Sequence, residues 1–502
     1  MRRALVVACL ALACCVVPRP ASAGPLFELA FGDGANYVPR AGPSGARATY
    51  FNPALLVEAP SGASLGFVLL VERLEIDVAA RDSVAACEDG ACDVPEIDGA
   101  GPESFRHEDG SSLAQPTLPT GWLESGRDGS SGIAARPRQA ADTGDSEHGY
   151  LELGLVQATL DKRFAFGLSA LLPVDGFMES RAFYVDEREQ FFSNSLHHEL
   201  YGDRLQAADV AFGAGVRVID ELAIGASLTL GIASTAHAPV YVSNLGDLDT
   251  VLLDSNVSVA LSLAPHFGVA FTPVRWLRLS ATAHSPQGTR IETSFSYVIA
   301  TGIEQHASQS FHIGYLPWTF GLGAEATFGE PARGEWSVAA SSTYALWSDY
   351  RDRHDERPGG RYEWSDVLGA ALGVRGRLQQ LSGYVSGAYA ATPVPPQTGR
   401  TSYVDSDRVT AGLGAGYDFA LWSVTATVGL DLMLHRLLPR DVSKRTSGAD
   451  AVRDEVPDDA VGGTPRGEIA GREGLQTNNP GFPGFSGEGV IFGGGARISL
   501  AY

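Results

Sequence analysis

Beyond its first two dozen residues the chain has no run of about 18 consecutive apolar residues, the length a helix needs to cross a bilayer, which excludes a transmembrane helix. Methionine is scarce as well, with 3 residues against 59 glycines. That balance points away from a helix-rich soluble enzyme and toward tight turns and a crowded surface of small side chains. Basic residues are outnumbered, 37 Lys and Arg against 59 Asp and Glu, for a net charge of −22. A surface so acidic repels a phosphate backbone, and nucleic acid is excluded as a partner. Cysteine almost disappears after Cys9, Cys14 and Cys15, leaving only Cys87 and Cys92 in C-E-D-G-A-C. Their spacing, with a glycine to turn the chain, reads as a small disulfide loop in an oxidising compartment, and metal binding has weak support without a histidine nearby.

What is present begins with a leader. Arg2 and Arg3 precede an apolar run from Ala4 to Val17 and then Ala21-Ser22-Ala23. This is the pattern of a secretory signal peptide, residues 1–23, cleaved before Gly24. The apolar stretch before Cys9 is too short for the rival lipoprotein reading. Losing the three leader arginines takes the charge to −25.

The most informative stretch is Trp422 to His435, W-S-V-T-A-T-V-G-L-D-L-M-L-H. Val424, Ala426, Val428, Leu430, Leu432 and Leu434 share one parity, and Thr425, Thr427, Gly429, Asp431 and His435 share the other. A period of two is a strand with one oily and one wet face. Its length is about twice the usual 5–6 residues of a soluble strand. Strands of this length, apolar toward lipid and polar toward a lumen, suit a transmembrane β-barrel, which needs no helical anchor.

The same pattern recurs along the chain. It covers Ser64 to Val78, Tyr150 to Leu160, Arg163 to Pro173, Asp209 to Arg217, Ala223 to Ile232, Val257 to Phe271 and Leu277 to His284. It continues over Leu316 to Phe328, Trp336 to Tyr350, Tyr362 to Leu378, Ser382 to Ala391, Val409 to Tyr417 and Val490 to Tyr502. Short turns such as Asp161-Lys162 and Gln379-Gln380 alternate with long polar segments, the longest at 80–147, 175–206 and 437–487. The expected fold is therefore all-β: an antiparallel transmembrane barrel of about fourteen strands spanning 61–502, with short inner turns and long outer loops. Trp276, Trp336, Trp422 and Tyr502 lie near short-turn ends, as an aromatic girdle would. The competing architecture is a large soluble β-sandwich. Residues 24–60 have no sustained period and read as a plug inside the barrel.

Three passages resemble the outer-membrane long-chain fatty-acid transporter (FadL-like) family, which also includes aromatic-hydrocarbon uptake channels. They are F-N-P-A-L-L at Phe51 to Leu56, Y-A-L-W-S-D-Y at Tyr344 to Tyr350, and T-P-V-P-P-Q-T-G-R-T-S-Y-V-D-S-D-R at Thr392 to Arg408. The resemblance implies a fourteen-stranded barrel in the Gram-negative outer membrane, embedded in lipid and lipopolysaccharide, with a plug containing Asn52, Pro53 and Ala54. It implies passive uptake of a hydrophobic small molecule, a fatty acid or an aromatic hydrocarbon. Phe27 and Leu29 would lie in a mobile N-terminus that lines the ligand pocket. Release would run sideways beside the third strand, with Gly167 or Pro173 supplying a bend. Substrate identity is left open by the long first and last outer loops and by the short plug.

A fatty acid needs an oily slot and a cation for its carboxylate. On the lumen parity Arg217, Arg278 and Arg497 offer the cation, and Glu325, Asp209, Asp431 or His266 would balance it. The bland alternative for each arginine is a lumen salt bridge. Phe191, Phe192, Leu196 and Leu200 form an amphipathic loop segment suited either to outer capture of ligand or to simple loop packing. His197-His198-Glu199 and His354-Asp355 lack a placed nucleophile or further ligands, so no enzyme, cofactor or metal is expected. Asp454, Glu455, Asp458 and Asp459 read as a solubilising run rather than a calcium site. A monomeric channel is the expected state, and an adhesion barrel without transport is the alternative function.

Overall fold

A computed structural model describes residues 26–79, 141–174, 196, 198–201, 208–237, 240–242, 251–253, 256–298, 304–330, 333–352, 357–399, 401–445, 481 and 483–502. The leader, Cys87, Cys92, Phe191 and Phe192 lie outside the described residues.

Fourteen antiparallel strands close into a barrel. They are β1 (Gly62–Val78), β2 (Ala141–Ala158), β3 (Phe164–Pro173), β4 (Ala208–Ile219), β5 (Leu222–His237), β8 (Asn256–Val274) and β9 (Leu277–His284). The other seven are β12 (Thr319–Glu330), β13 (Gly334–Ala345), β14 (Val367–Leu378), β15 (Leu381–Ala390), β16 (Arg408–Leu421), β17 (Val424–Ser443) and β18 (Gly484–Ala501). Two hairpins lie outside the barrel's hydrogen-bonded ladder, β6 (Val240–Val242) with β7 (Val251–Leu253), and β10 (Gln287–Val298) with β11 (Glu304–Leu316). Closure is made by β1 against β18, from Gly62 opposite Ala501 to Val78 opposite Phe485. This removes the free edge that a sheet would otherwise expose to hydrocarbon.

The alternation read from sequence is the alternation of the wall. On β17, Val428, Leu430, Leu432 and Leu434 face outward, with Leu430 58% exposed, while His435 on the other parity is 2% exposed. Exposed large apolar residues recur in this way on every barrel strand from Leu65 and Phe67 to Ile498 and Leu500, and such a continuous apolar cylinder is covered by lipid. Trp276, Trp336, Trp422 and Tyr502 are all exposed, at or beside the short-turn ends of the strands.

Strand ends differ from the periodic reading in several places, and a proline or a tight turn explains most of them. Pro317 separates β11 from β12, so the strand expected from Leu316 begins at Thr319. Trp347–Asp349 and Gly360–Tyr362 are 3-10 turns, so β13 stops at Ala345 and β14 begins only at Val367. Trp422 sits in the turn with φ of 52° rather than in the strand. β17 runs on to Ser443 and β18 starts at Gly484, inside the segment read as the last loop, and β2 likewise starts at Ala141. Pro439 is accommodated on β17 because the register shifts between Leu437 and Arg440, the bulge at which a strand tolerates proline.

The N-terminal segment lies inside the barrel. Helix α1 (Leu26–Phe31), helix α2 (Ala48–Phe51) and a 3-10 turn at Pro53–Val57 are almost wholly buried, and Arg47 is the buried residue of a further 3-10 turn at Gly45–Arg47. α1 packs with Leu70, Leu74, Met433 and Ile491 of the wall, and Leu55, Leu56 and Val57 pack on Val156, Ala165, Ala223 and Ala270. Close approach depends on lumen glycines. A side chain at Gly268 would strike Asn52, and one at Gly225 would strike the backbone of Pro53 and Ala54.

Leu430→Arg places a charge on the lipid face near mid-strand and is expected to cost about 2–4 kcal/mol. Denaturant unfolding of the barrel from lipid bilayers measures this.

Candidate functional site

Asn52 explains the first turn of the N-P-A segment. Its side chain accepts from the Ala54 amide at 3.2 Å and donates to the Arg40 carbonyl at 3.0 Å. It therefore caps the turn that begins at Pro53, where a missing N–H costs nothing, and ties two passes of the plug together.

The plug is fastened to the wall by paired charges. Arg47 forks onto Glu152 at 2.7 and 2.9 Å with both side chains 3% exposed, and its guanidinium lies 3.7 Å from the centre of the Phe31 ring. Glu325 on β12 accepts from Tyr37 of the plug at 3.0 Å and pairs with Arg278, while Arg375 stands 3.8 Å away. Arg278 also pairs with Glu58 at the other end of the plug. Arg40 pairs within the plug to Glu28 and Asp33. Backbone carbonyls of the plug meet the wall too, Leu29 at His435 (3.0 Å), Phe51 at His284 (3.2 Å) and Gly34 at Ser386 (2.9 Å).

Between this plug and the wall from β9 to β16 lies a cavity of about 170 Å³. Its plug side is made by Glu28, Asp33, Arg40 and Tyr50, and its wall by small side chains that include Ala345, Ala371, Ala388 and Ala390. Arg408 and Asp405 stand at one flank, His284, Ser285 and Gln287 at the other. Tyr315, Trp347, Tyr350, Trp364 and Tyr403 form an aromatic cluster that meets the cavity at Trp347, with Tyr350 and Trp364 stacked at 3.5 Å. A volume near 170 Å³ holds a single aromatic ring or part of a chain rather than a whole drug-sized ligand, which fills about 300 Å³ or more.

Arg408 is the cation of interest. Its Nη1 donates to the Tyr201 hydroxyl at 3.4 Å, its Nε has no hydrogen-bond partner, and among the described residues it forms no ion pair. Asp405, three residues earlier and just outside the strand, is 4% exposed. Burial pushes its carboxyl up to about 6, opposed by the Thr392 hydroxyl that donates to it and by the charges of Arg408 and Arg440.

The residues singled out from sequence are placed differently. Phe27 and Leu29 are core residues of the plug, each 1% exposed, and do not line the cavity. Arg217 donates to the Val57 carbonyl at 3.4 Å, and Arg278 is held by Glu58 and Glu325, so both fasten the plug. Arg497 faces Glu152 at 3.9 Å. Gly167 and Pro173 lie on β3, whose pairing with β2 runs without a register shift from Tyr150 opposite Pro173 to Ala158 opposite Ala165. The β3–β4 ladder is equally unbroken, and Gly167 faces Thr49 and Leu56 of the plug. Sequence reasoning quoted Asp405 and Arg408 only within a motif and gave no role to Arg40, Ser285 or Gln287.

No family model and no curated sequence matches the chain. Solved structures do. A FadL homologue of Pseudomonas aeruginosa aligns with a TM-score of 0.54 at 16% identity, over 96% of this chain and 98% of that one. The toluene transporter TodX of P. putida aligns at 0.46 and 14% over 96% and 99%, and the CymD monoaromatic hydrocarbon channel at 0.44 and 12% over 96% and 98%. The first of these establishes that the chain has the FadL-like fold, a plugged fourteen-stranded barrel.

Glu325→Ala leaves Arg278 and Arg375 facing each other without their shared anion and releases Tyr37. It is expected to cost roughly 3–5 kcal/mol and to raise conductance through the loosened plug. The temperature at which the folded barrel loses its fast electrophoretic migration, and current across planar bilayers, measure the two effects.

Proposed function

We propose that the protein is a passive outer-membrane channel for uptake of hydrophobic small molecules, with long-chain fatty acids as its main substrates. The observation that carries this reading is the cavity between plug and wall: a lining rich in alanine and joined through Trp347 to an aromatic cluster, with Arg408, which has no ion pair among the described residues, at its edge. The apolar cylinder around it supports a place in lipid, and the FadL-like fold supports the outer membrane. A charge-assisted bond from Arg408 to a carboxylate is the strongest single contact such a site offers. Because the cavity is short for a long chain, full occupancy requires the plug to shift. Release beside β3 would require one of its two ladders to part, with β2 through Pro173 or with β4 through Leu171.

Uptake of labelled oleate and of toluene by a host lacking its own channels tests the reading, and no gain of either on expression would refute it. Arg408→Met is expected to lower oleate binding about tenfold while leaving toluene unchanged, the loss of one charged hydrogen bond.

The charged and titratable groups around Asp405 are Arg408, Arg440 and Tyr201, with Asp407 acting on the same Arg440. Above pH 6 ionised Asp405 offsets the field of Arg408; below it the neutral carboxyl leaves Arg408 uncompensated. Carboxylate affinity is therefore expected to rise as the pH falls from 8 to 6. Asp405→Asn should flatten that dependence in equilibrium titrations.

A further inference from the structure

The described part of the connection between β3 and β4, Leu196 and then His198 to Tyr201, does not stay with its own strands. It is seated on the long-loop ends of strands elsewhere in the wall. Leu196 is fully buried among Ile76, Val78, Val404, Val442 and Phe485, which belong to β1, β17, β18 and the approach to β16. His198 bridges to Val404, and its Nε2 lies 3.3 Å from the Glu75 carbonyl. The Glu199 amide donates to the Val404 carbonyl at 3.0 Å, and the Glu199 carboxylate accepts from the Tyr350 hydroxyl at 2.8 Å. An apolar anchor followed by polar seats makes this segment a strap over the long-loop mouth of the barrel, fastened from β1 round to β16.

The strap ends in the cavity. Leu200 and Tyr201 both line it, and Tyr201 belongs to the same apolar cluster as Phe27 and Tyr50 of the plug. The Tyr201 hydroxyl accepts from Nη1 of Arg408 at 3.4 Å, the far end of hydrogen-bond range. Burial pushes its phenol up to about 12, so Tyr201 is neutral at any working pH and offers Arg408 a dipole in place of a counter-charge. Nε of Arg408 is buried without a partner. A carboxylate arriving from the cavity therefore meets the guanidinium at its Nη atoms, where Tyr201 already sits.

That competition has one winner. A carboxylate on a guanidinium makes charged hydrogen bonds of about 2.7–2.9 Å, roughly twice as strong as neutral ones. A neutral hydroxyl held at 3.4 Å gives way to it. A hydrocarbon has no acceptor to offer and leaves the bond alone. Glu199 is two residues back from Tyr201, so a shift of the ring loads the seat on Val404 and the bond to Tyr350.

We infer that Tyr201 is a specificity-determining residue: its hydroxyl occupies Arg408 until a carboxylate displaces it, so acids loosen the strap as they bind and neutral hydrophobes bind without moving it. The inference rests on the hydrophobic-channel reading above, in which Arg408 receives the carboxylate, and adds a step that separates two classes of cargo.

The full chain in lipid nanodiscs tests this with oleate and toluene at pH 7. Hydrogen exchange at the Glu199 amide, read by mass spectrometry, is expected to quicken about threefold or more with saturating oleate and to stay as it was with toluene. Tyr201→Phe keeps the ring and removes the competitor. It is expected to tighten oleate binding about three- to fivefold, the worth of a weak hydrogen bond, with no gain for toluene. In the Arg408→Met background the same substitution should bring no gain for oleate, because the pair it breaks is already gone. Unchanged exchange at Glu199 with oleate bound, an equal response to toluene, oleate binding left unchanged or weakened by Tyr201→Phe, or a gain that survives in Arg408→Met overturns the inference while the channel reading stands. Should Tyr201→Phe fail to fold, the exchange measurement on the unaltered chain decides alone. Failure of oleate and toluene alike to bind that chain sinks the channel reading, and the inference with it.

Discussion

A peptide group in hydrocarbon can bond only to another peptide group, and that constraint organises the molecule. Every strand needs two neighbours, so the first strand must meet the last, and a wall of fixed circumference follows. Its inner parity then surrounds a space too wide for its own small side chains to fill. The N-terminal segment fills it. Glycines on the inner parity are the counterpart of that filling, since the backbone of Asn52 to Ala54 lies where side chains would otherwise stand.

Filling the lumen dries it, and dry charges need partners. Arg47 with Glu152, Arg40 with Glu28 and Asp33, and Arg278 with Glu58 and Glu325 meet that requirement at three levels of the plug. These pairs fix where the plug sits more than they add stability, because each ion gives up water to enter. Against that background the unpaired groups stand out. Arg408 is one of them: it lines the cavity with no ion pair among the described residues.

The barrel was legible in the sequence because lipid on one side and a lumen on the other impose the simplest possible pattern on a strand. Leu430 and His435 differ in parity and therefore in solvent. Strand ends were less legible, since a bulge at Leu437 to Arg440 carries the ladder past Pro439, where local propensity ends it. The β10–β11 hairpin, outside the closed ladder, was not legible. The cavity was not legible at all. Lumen parity picked out Arg217 and Arg278, but parity cannot tell a paired arginine from a free one. Arg408 and Gln287 are distant in sequence and belong together only because closure curves β9 and β16 around the same plug. The N-P-A segment was legible as a motif, and its cause is local: an asparagine capping a turn that a proline starts.

The amide of Tyr502 bonds to the carbonyl of Ser61, so the chain's last residue is stitched to the point where the plug passes into the wall. The cork and the closing seam are thus neighbours along the polypeptide. A plug drawn toward either mouth therefore pulls on β1, the strand whose ladder with β18 closes the cylinder.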